Sequence, residues 1–154
     1  KGKTMQLTKN ISDYSISISY LDTKIHKLAI SEVSIMPKEL IISSLEEFIS
    51  NQKELEKMMH IVDISNSCGF YSRLNVPPQM RGKNIGSIIL DETLKVCTEK
   101  NIFLFNTVNP YGDLNLEQLI GFYEKHGMKS ISEEGVLVFS SHLNTNLKPR
   151  KHKL

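Results

Sequence analysis

The first third of the chain alternates apolar and polar residues in two adjacent stretches. Apolar positions recur at every second residue from Tyr14 to Leu21, and the alternation resumes from Leu28 to Ile35 after a turn at Asp22-Thr23. Strict alternation of this kind is typical of a half-buried strand. We therefore predict an antiparallel hairpin, whereas the polar residues 1–10 support no assignment.

A helical period follows the hairpin. Ile41, Leu45, Phe48 and Leu55 recur at gaps of three, four or seven residues, which predicts one amphipathic helix over about 38–59. Residues 60–64 fit either the end of this helix or the start of a strand. The opposite face of the helix is polar, and we expect it to be solvated or to form one wall of an acceptor site: Glu46, Glu47, Asn51, Glu54.

The middle of the chain reads as strand, helix and strand. Residues 70–76 form the first predicted strand, 84–100 a helix with a wide apolar arc, and 102–108 a short buried strand. A helical crossover makes the two strands parallel and the connection right-handed. A further helix, with Asn115 and Gln118 spaced as a capping box, and two final strands complete the pattern.

The predicted fold class is thus α/β (α+β), with one mixed sheet flanked by helices in a single domain over residues 1–140. The last residues, 141–154, have no apolar period and end in a basic run, which predicts a flexible tail. The length of 154 residues is enough for one sizeable core.

A basic, glycine-containing turn connects the strand at 70–76 to the helix that follows. It runs through Arg81, Gly82, Lys83 and Asn84 to Gly86. The first amides of a helix lack intrahelical acceptors and lie at the positive end of its dipole. Glycines let a phosphate approach the backbone, and the two side-chain cations favour an anion. The stretch therefore predicts a pyrophosphate cradle.

This turn resembles the coenzyme A loop of the GNAT acyltransferase superfamily, Q/R-x-x-G-x-G/A. Asn84 stands where the family usually has its first glycine, and asparagine tolerates the positive φ of such a turn well. The resemblance implies a centrally splayed GNAT-like sheet and acetyl-coenzyme A as co-substrate, with no metal. The residues that it implies for coenzyme binding come from the strand end and the loop: Leu74, Asn75, Val76, Arg81, Gly82, Lys83, Asn84, Ile85, Gly86, Ser87.

A second match lies about forty residues further on. The run Phe122-Tyr123-Glu124-Lys125-His126-Gly127-Met128 is similar to the Leu-Tyr-Glu-Lys-x-Gly-Phe run that ends the last major helix of GNAT enzymes. By this resemblance, Tyr123 is the catalytic residue and hydrogen-bonds the departing sulfur. The family's asparagine early in this helix falls at Leu116, so that coenzyme contact is not expected here.

The implied function is N-acetyl transfer by direct attack of an amine on the thioester. The resemblance assigns Leu74, Asn75 and Val76 to the backbone that pairs with pantetheine and polarises the carbonyl. No general base is assigned: Glu32, His60, Asp63 and a water chain remain open, as does the acceptor, whether a small molecule, a peptide, a protein or a charged tRNA.

Composition limits the alternatives. The net charge is +2, and no apolar run reaches membrane-spanning length. The two cysteines have no metal-type spacing and read as reduced residues, so we expect a cytoplasmic protein that does not engage a membrane. Two alternatives to the enzyme stay open: a coenzyme-binding interaction module with weak catalysis, and a nucleic-acid or ribosome-associated protein that uses the basic tail. A homodimer is also open as the oligomeric state.

Overall fold

The computed structural model describes residues 5–110 and 114–143, and within these ranges it shows seven strands, four α-helices and one 3-10 helix. The strands are β1 (Met5–Ile11), β2 (Ser15–Asp22), β3 (Lys27–Met36), β4 (Ser67–Asn75), β5 (Ile102–Thr107), β6 (Lys129–Ser132) and β7 (Val136–Phe139). The α-helices are α1 (Lys38–Phe48), α2 (Gln52–Ile64), α3 (Ile85–Glu99) and α4 (Leu116–Lys125), and the 3-10 helix is Pro78–Met80.

The described strands form one mixed sheet in the order β1-β2-β3-β4-β5-β7-β6. The pairs β1/β2, β2/β3 and β3/β4 are antiparallel, and the pair β4/β5 is parallel. Strand β7 pairs antiparallel with both β5 and β6. The predicted hairpin and the predicted parallel unit are both confirmed. The fold is therefore a mixed α+β domain with helices on a seven-stranded sheet.

The sheet opens at its centre, between β4 and β5. These strands pair from Ser67–Ile102 to Phe70–Phe105, and the ladder ends there. On its other side β4 remains paired with β3 at Tyr71 and at residues 73–75, with a bulge between Glu32 and Val33. The carboxyl ends of β4 and β5 therefore border a cleft.

Two apolar clusters cover the two faces of the sheet. Alternate residues of β5 show the division: Leu104 packs in the cluster under α3 and α4, whereas Phe103 and Phe105 pack in the cluster under α1 and α2. This alternation follows from the twofold side-chain period of a strand. Within the described ranges, no helix is both long enough and apolar enough to cross a membrane.

The predicted single helix over 38–59 is wrong, because the chain breaks it into α1 and α2. Ile49 has an extended backbone, with φ −113° and ψ 111°, and Asn51 begins α2 by accepting a hydrogen bond from the Glu54 amide at 2.9 Å. Asparagine favours such a capping position over a helix interior. The ambiguous residues 60–64 belong to α2.

The beginning of the predicted tail is packed against the domain. Residues 141–143 are helical, Leu143 is buried, and Nε2 of His142 lies 2.8 Å from Oδ1 of Asn101. The basic run lies in 144–154, outside the described residues. The structure therefore describes only the start of the segment that we expect to be flexible.

A prediction on stability follows from the close approach of β3 and β4. A Cβ atom at Gly69 would lie 2.8 Å from Cγ1 of Val33 and 2.9 Å from the backbone oxygen of Ser34. Since that oxygen cannot move without disturbing the ladder, Gly69→Ala should lower the free energy of unfolding by about 1–3 kcal/mol in urea denaturation.

Gly121→Ala in α4 is the matched control, because a Cβ atom there meets no atom within 4 Å. It should leave the free energy of unfolding unchanged or raise it by up to about 1 kcal/mol. Equal unfolding midpoints for Gly69→Ala and the wild type would contradict the close packing of these strands.

Candidate functional site

A cavity of about 870 Å³ occupies the cleft between the parted strands. Its walls are the end of β4, the loop after it, the first turn of α3, the end of β5 and one side of α4. A cleft of this volume is large enough for a cofactor-sized ligand. The parting of β4 and β5 therefore creates a candidate ligand site.

The cavity brings together most of the residues that the sequence implicated, although they come from separate elements. The predicted residues that line it are Leu74, Asn75, Val76, Arg81, Gly82, Asn84, Ile85, Gly86, Ser87 and Tyr123. Lys83 does not line it. The Lys83 ammonium instead lies 4.0 Å from the carboxylate of Asp22, a buried residue at the end of β2.

The loop that leads into α3 contains two residues with a positive φ. Gly82 has φ 82°, and Asn84, which precedes α3, has φ 64° and ψ 17° in the left-handed region. The first intrahelical bond runs from the Ile88 amide to the Asn84 oxygen at 3.1 Å. The three amides before Ile88 are the N-terminal donors of α3, and two of their residues, Gly86 and Ser87, line the cavity.

Arg81 stiffens this loop as well as supplying charge. Its Nε donates a hydrogen bond to the backbone oxygen of Val76 at 3.0 Å, across the turn. Met80, in the 3-10 helix between them, is fully buried and anchors the turn to the core. The loop is thus held in place by contacts within the protein.

The charged residues that line the cavity are all cationic. They are Arg73, Arg81 and Lys125, and no aspartate, glutamate or histidine is among the described residues of the lining. Arg73 forms an ion pair with Glu32, with Nε of Arg73 3.0 Å from Oε1 of Glu32, and this pair partly neutralises its charge. A cleft lined by one sign of charge attracts ligands of the opposite sign, so the site is suited to an anion.

Tyr123 is buried where α4 meets the sheet. Its ring lies edge-on to Tyr71, with ring centroids 6.0 Å apart, and packs against Phe122 at 5.3 Å. Because both Tyr71 and Tyr123 line the cavity, the two aromatic rings form its wall beside the end of β4. The contacts with Tyr71 and Phe122 fix the plane of the Tyr123 ring.

A buried chain of hydroxyls holds Tyr71 in turn. Its hydroxyl lies 2.5 Å from Oγ of Ser31, which lies 2.6 Å from Oγ1 of Thr93, and Thr93 donates to the Ile89 oxygen at 2.7 Å. Each hydroxyl has one hydrogen. Thr93 must therefore accept from Ser31, and Ser31 from Tyr71, which gives the chain a single direction.

Three functional candidates were not found from the sequence: Tyr71, His126 and Asp91. Nδ1 of His126 lies 2.6 Å from Oδ1 of Asp91, and its Nε2 lies 3.0 Å from Oγ of Ser87. The spacing of Ser87 and Asp91 by one helical turn was a usable signal. The position of His126 beside them was not, because it depends on how α4 docks on α3.

The residues that the sequence offered for an acceptor wall or a general base mostly lie away from the cavity. Among the described residues, neither α1 nor α2 contributes a side chain to the cavity lining, so the structure gives no support to the predicted wall at Glu46, Glu47, Asn51 and Glu54. His60 and Asp63 are exposed on α2. Glu32 is the one candidate base with an ion-pair partner, Arg73, at the cavity.

Neither cysteine is a candidate nucleophile. Both Cys68 and Cys97 are free thiols in the core. Burial raises the pKa of Cys68 to about 11 and that of Cys97 to about 12. The reactive thiolate is therefore scarce at neutral pH. In the parts of the chain that the structure describes, no group of three His, Cys, Asp or Glu residues could hold a metal ion.

Comparison of the chain with protein-family models finds no match, and comparison with curated proteins also finds none. The resemblance to GNAT acyltransferases therefore rests on the two sequence motifs. The mixed seven-stranded sheet with flanking helices is compatible with it.

The hydroxyl chain behind Tyr71 gives a testable prediction. Thr93→Val keeps the shape of the side chain but removes the acceptor of the buried Ser31 hydroxyl. Leaving a buried donor without a partner costs about 1–3 kcal/mol, so the free energy of unfolding should fall by that amount in urea denaturation.

Thr98→Val provides the matched control, because the Thr98 hydroxyl also donates to a carbonyl four residues earlier on α3, but in a residue that is exposed and outside the buried chain. It should change the free energy of unfolding by less than about 0.5 kcal/mol. Equal losses for the two variants would show that the buried chain contributes nothing of its own.

Proposed function

We propose that this protein is an acyltransferase of the GNAT type, which binds acetyl-coenzyme A in the central cleft and transfers the acetyl group to an amine. The observation that carries the proposal is the convergence of the two motifs on one cavity. The loop that contains Arg81 and Gly86 and the helix that contains Tyr123 are separated in sequence but line the same cleft.

The phosphates of the coenzyme belong at the loop and the first turn of α3. The N-terminal amides of α3 and the positive end of its dipole favour an anion. Arg81 and Lys125 add side-chain charge to the same cavity. An added Cβ atom at Gly86 would already be in van der Waals contact with the side chains of Val76, at 3.5 Å, and Phe122, at 3.8 Å, so the absence of a side chain keeps this part of the cavity lining open.

The pantetheine arm belongs along the end of β4. Residues 74–76 line the cleft beyond the point where β4 and β5 stop pairing. An extended ligand can pair with backbone at such a position, in the manner of an added strand. A β4 amide can also donate a hydrogen bond to the thioester oxygen, where negative charge develops during attack.

The chemistry requires no covalent enzyme intermediate. The amine nitrogen attacks the carbonyl carbon, the carbon–sulfur bond breaks, and the sulfur leaves with the electron pair of that bond. We assign Tyr123 to hydrogen-bond this sulfur. A phenol is ordinarily a weaker acid than a thiol, so a hydrogen bond that strengthens as charge builds suffices, and solvent completes the protonation.

The proton lost by the amine goes to water in this proposal. No carboxylate or imidazole is among the described residues that line the cavity. An alkyl amine with an ordinary pKa near 10.4 is almost wholly protonated at neutral pH, so the rate should rise with pH as the free amine becomes more abundant. The alternative, a coenzyme-binding module without turnover, shares the cleft but predicts no release of thiol.

The first test replaces Gly86 with glutamate, which places a negative charge at the anion cradle. Repulsion between like charges costs several kcal/mol, so the affinity for coenzyme A should fall by at least about 100-fold in calorimetry. Gly121→Glu adds the same charge on the exposed side of α4 and should bind like the wild type. Equal affinities for a folded Gly86→Glu variant and the wild type would refute the cradle.

The second test replaces Tyr123 with phenylalanine, which removes one hydroxyl and keeps the ring against Tyr71. Loss of a donor to the leaving group should lower the turnover of acetyl-coenzyme A with an amine panel by roughly 100-fold. Affinity for the coenzyme should change little. Tyr14→Phe, at an exposed tyrosine outside the cavity, is the control, and full turnover in Tyr123→Phe would reduce Tyr123 to a packing residue.

A further inference from the structure

Ser87, His126 and Asp91 form a hydrogen-bonded relay at the rim of the cavity. Ser87 lies in the first turn of α3 and lines the cavity, Asp91 lies one turn later, and His126 follows the end of α4. The imidazole bridges the other two, with Nδ1 at 2.6 Å from Asp91 and Nε2 at 3.0 Å from Ser87. The His126 side chain is only 10% exposed and packs against Phe122, with the ring centroids 4.9 Å apart and the ring planes tilted by 58°.

While the imidazole is neutral, the number of hydrogens in this relay determines whether the Ser87 hydroxyl donates to the ring or accepts from it. The Asp91 carboxylate only accepts, so Nδ1 of His126 bears the hydrogen that lies between them. The Nε2 atom of a neutral ring is then an acceptor, and the Ser87 hydroxyl must donate its one hydrogen to it. Ser87 consequently presents oxygen lone pairs to the cavity, which disfavours an anion.

Protonation of the imidazole reverses the second bond. Both ring nitrogens of a histidinium are donors, so Nε2–H donates to Oγ of Ser87. The hydroxyl hydrogen is released and can donate into the cavity, at the positive end of α3. One added proton thus changes Ser87 from an acceptor to a donor and adds a positive charge behind it.

We infer that His126 is a positioning residue that links anion binding in this cavity to uptake of one proton. The inference rests on the proposed function for the identity of the anion, a phosphate group of the coenzyme. His126 acts through Ser87, and Asp91 orients the ring by accepting its Nδ1 hydrogen. Coenzyme affinity should therefore increase as the pH falls and the imidazole gains its proton.

Charged residues also occur beside the relay on α4 and in the loop. Glu124 and Lys125 precede His126 on α4. Glu124 accepts a hydrogen bond from Ser130 of β6 at 2.9 Å, and Lys125 lines the cavity with Arg81. Lys125 and Arg81 are positively charged side chains at the same cavity, so they favour the anion in the wild type and in a His126 variant alike.

The same three residue types also make up hydrolytic triads, in which the serine is a nucleophile. The exposure of the carboxylate favours the donor role instead. The Asp91 side chain is 59% exposed, so water screens its charge and weakens its stabilisation of a transient imidazolium. Covalent labelling of Ser87 by a fluorophosphonate probe would overturn our inference in favour of a nucleophile.

The experiment is calorimetric titration of the full chain with coenzyme A at several pH values, in buffers of different ionisation enthalpy. The wild type should take up a proton on binding, and its affinity should rise several-fold for each pH unit lost, with tenfold as the limit for one linked proton. His126→Gln is the comparison, because the glutamine amide can donate to Ser87 without titrating. It should bind with a flat profile, apart from the protonation of the ligand itself.

Identical pH profiles for the wild type and His126→Gln would overturn the inference and leave the proposed function standing. Absence of coenzyme binding by the wild type would overturn the proposed function instead. In that case nitrogen NMR of His126 tests the inference, with sulfate as the anion because it stays a dianion at the pH values used. An increase in the protonated fraction of His126 at fixed pH supports the inference, and an unchanged fraction overturns it.

Discussion

The structure depends on one interruption in its hydrogen bonding. A parallel pair of strands normally continues its ladder, but β4 and β5 separate after Phe70 and Phe105. β4 remains in the sheet because β3 pairs with it to Asn75, and β5 remains because β7 pairs with it to Thr107. Each strand is thus held from its outer side, so the sheet can open at its centre without losing either half.

The opening determines where the other functional elements lie. After β4 leaves the ladder, the chain borders the cleft through the loop that contains Gly82 and Asn84, and α3 begins at the end of this loop. The helix α4 closes the cleft with Tyr123, whose ring contacts Tyr71 on β4. The cavity therefore combines backbone from the strand ends, amides from a helix terminus and side chains from a second helix.

Local patterns predicted the local features of this arrangement. The alternation at 14–21 and 28–35 gave the hairpin, and the spacing of Asn115 and Gln118 gave the capping box that begins α4. Asn84 adopts the left-handed conformation that its chemistry allows. Each of these depends on residues within a few positions of one another, for which a single sequence contains the necessary information.

Features that depend on docking could not be predicted in the same way. β1 escaped assignment because it is an edge strand with exposed Leu7 and Ile11, so its polar composition says little about pairing. The break between α1 and α2 was hidden because the apolar period continues across Asn51. Lys83 turns towards Asp22, and His126 reaches Ser87, through contacts between elements far apart in the chain.

The division of the core into two clusters has a consequence for how such a chain can change. The cluster under α1 and α2 lies across the sheet from the cradle loop, α3 and Tyr123. Substitutions that repack Ile41, Leu45 or Met58 can therefore accumulate as long as they preserve the volume of that layer. The residues under α1 and α2 can therefore change in sequence while those that line the cleft stay the same. Two homologues of this protein can then share the cleft residues and differ over much of the other face of the sheet.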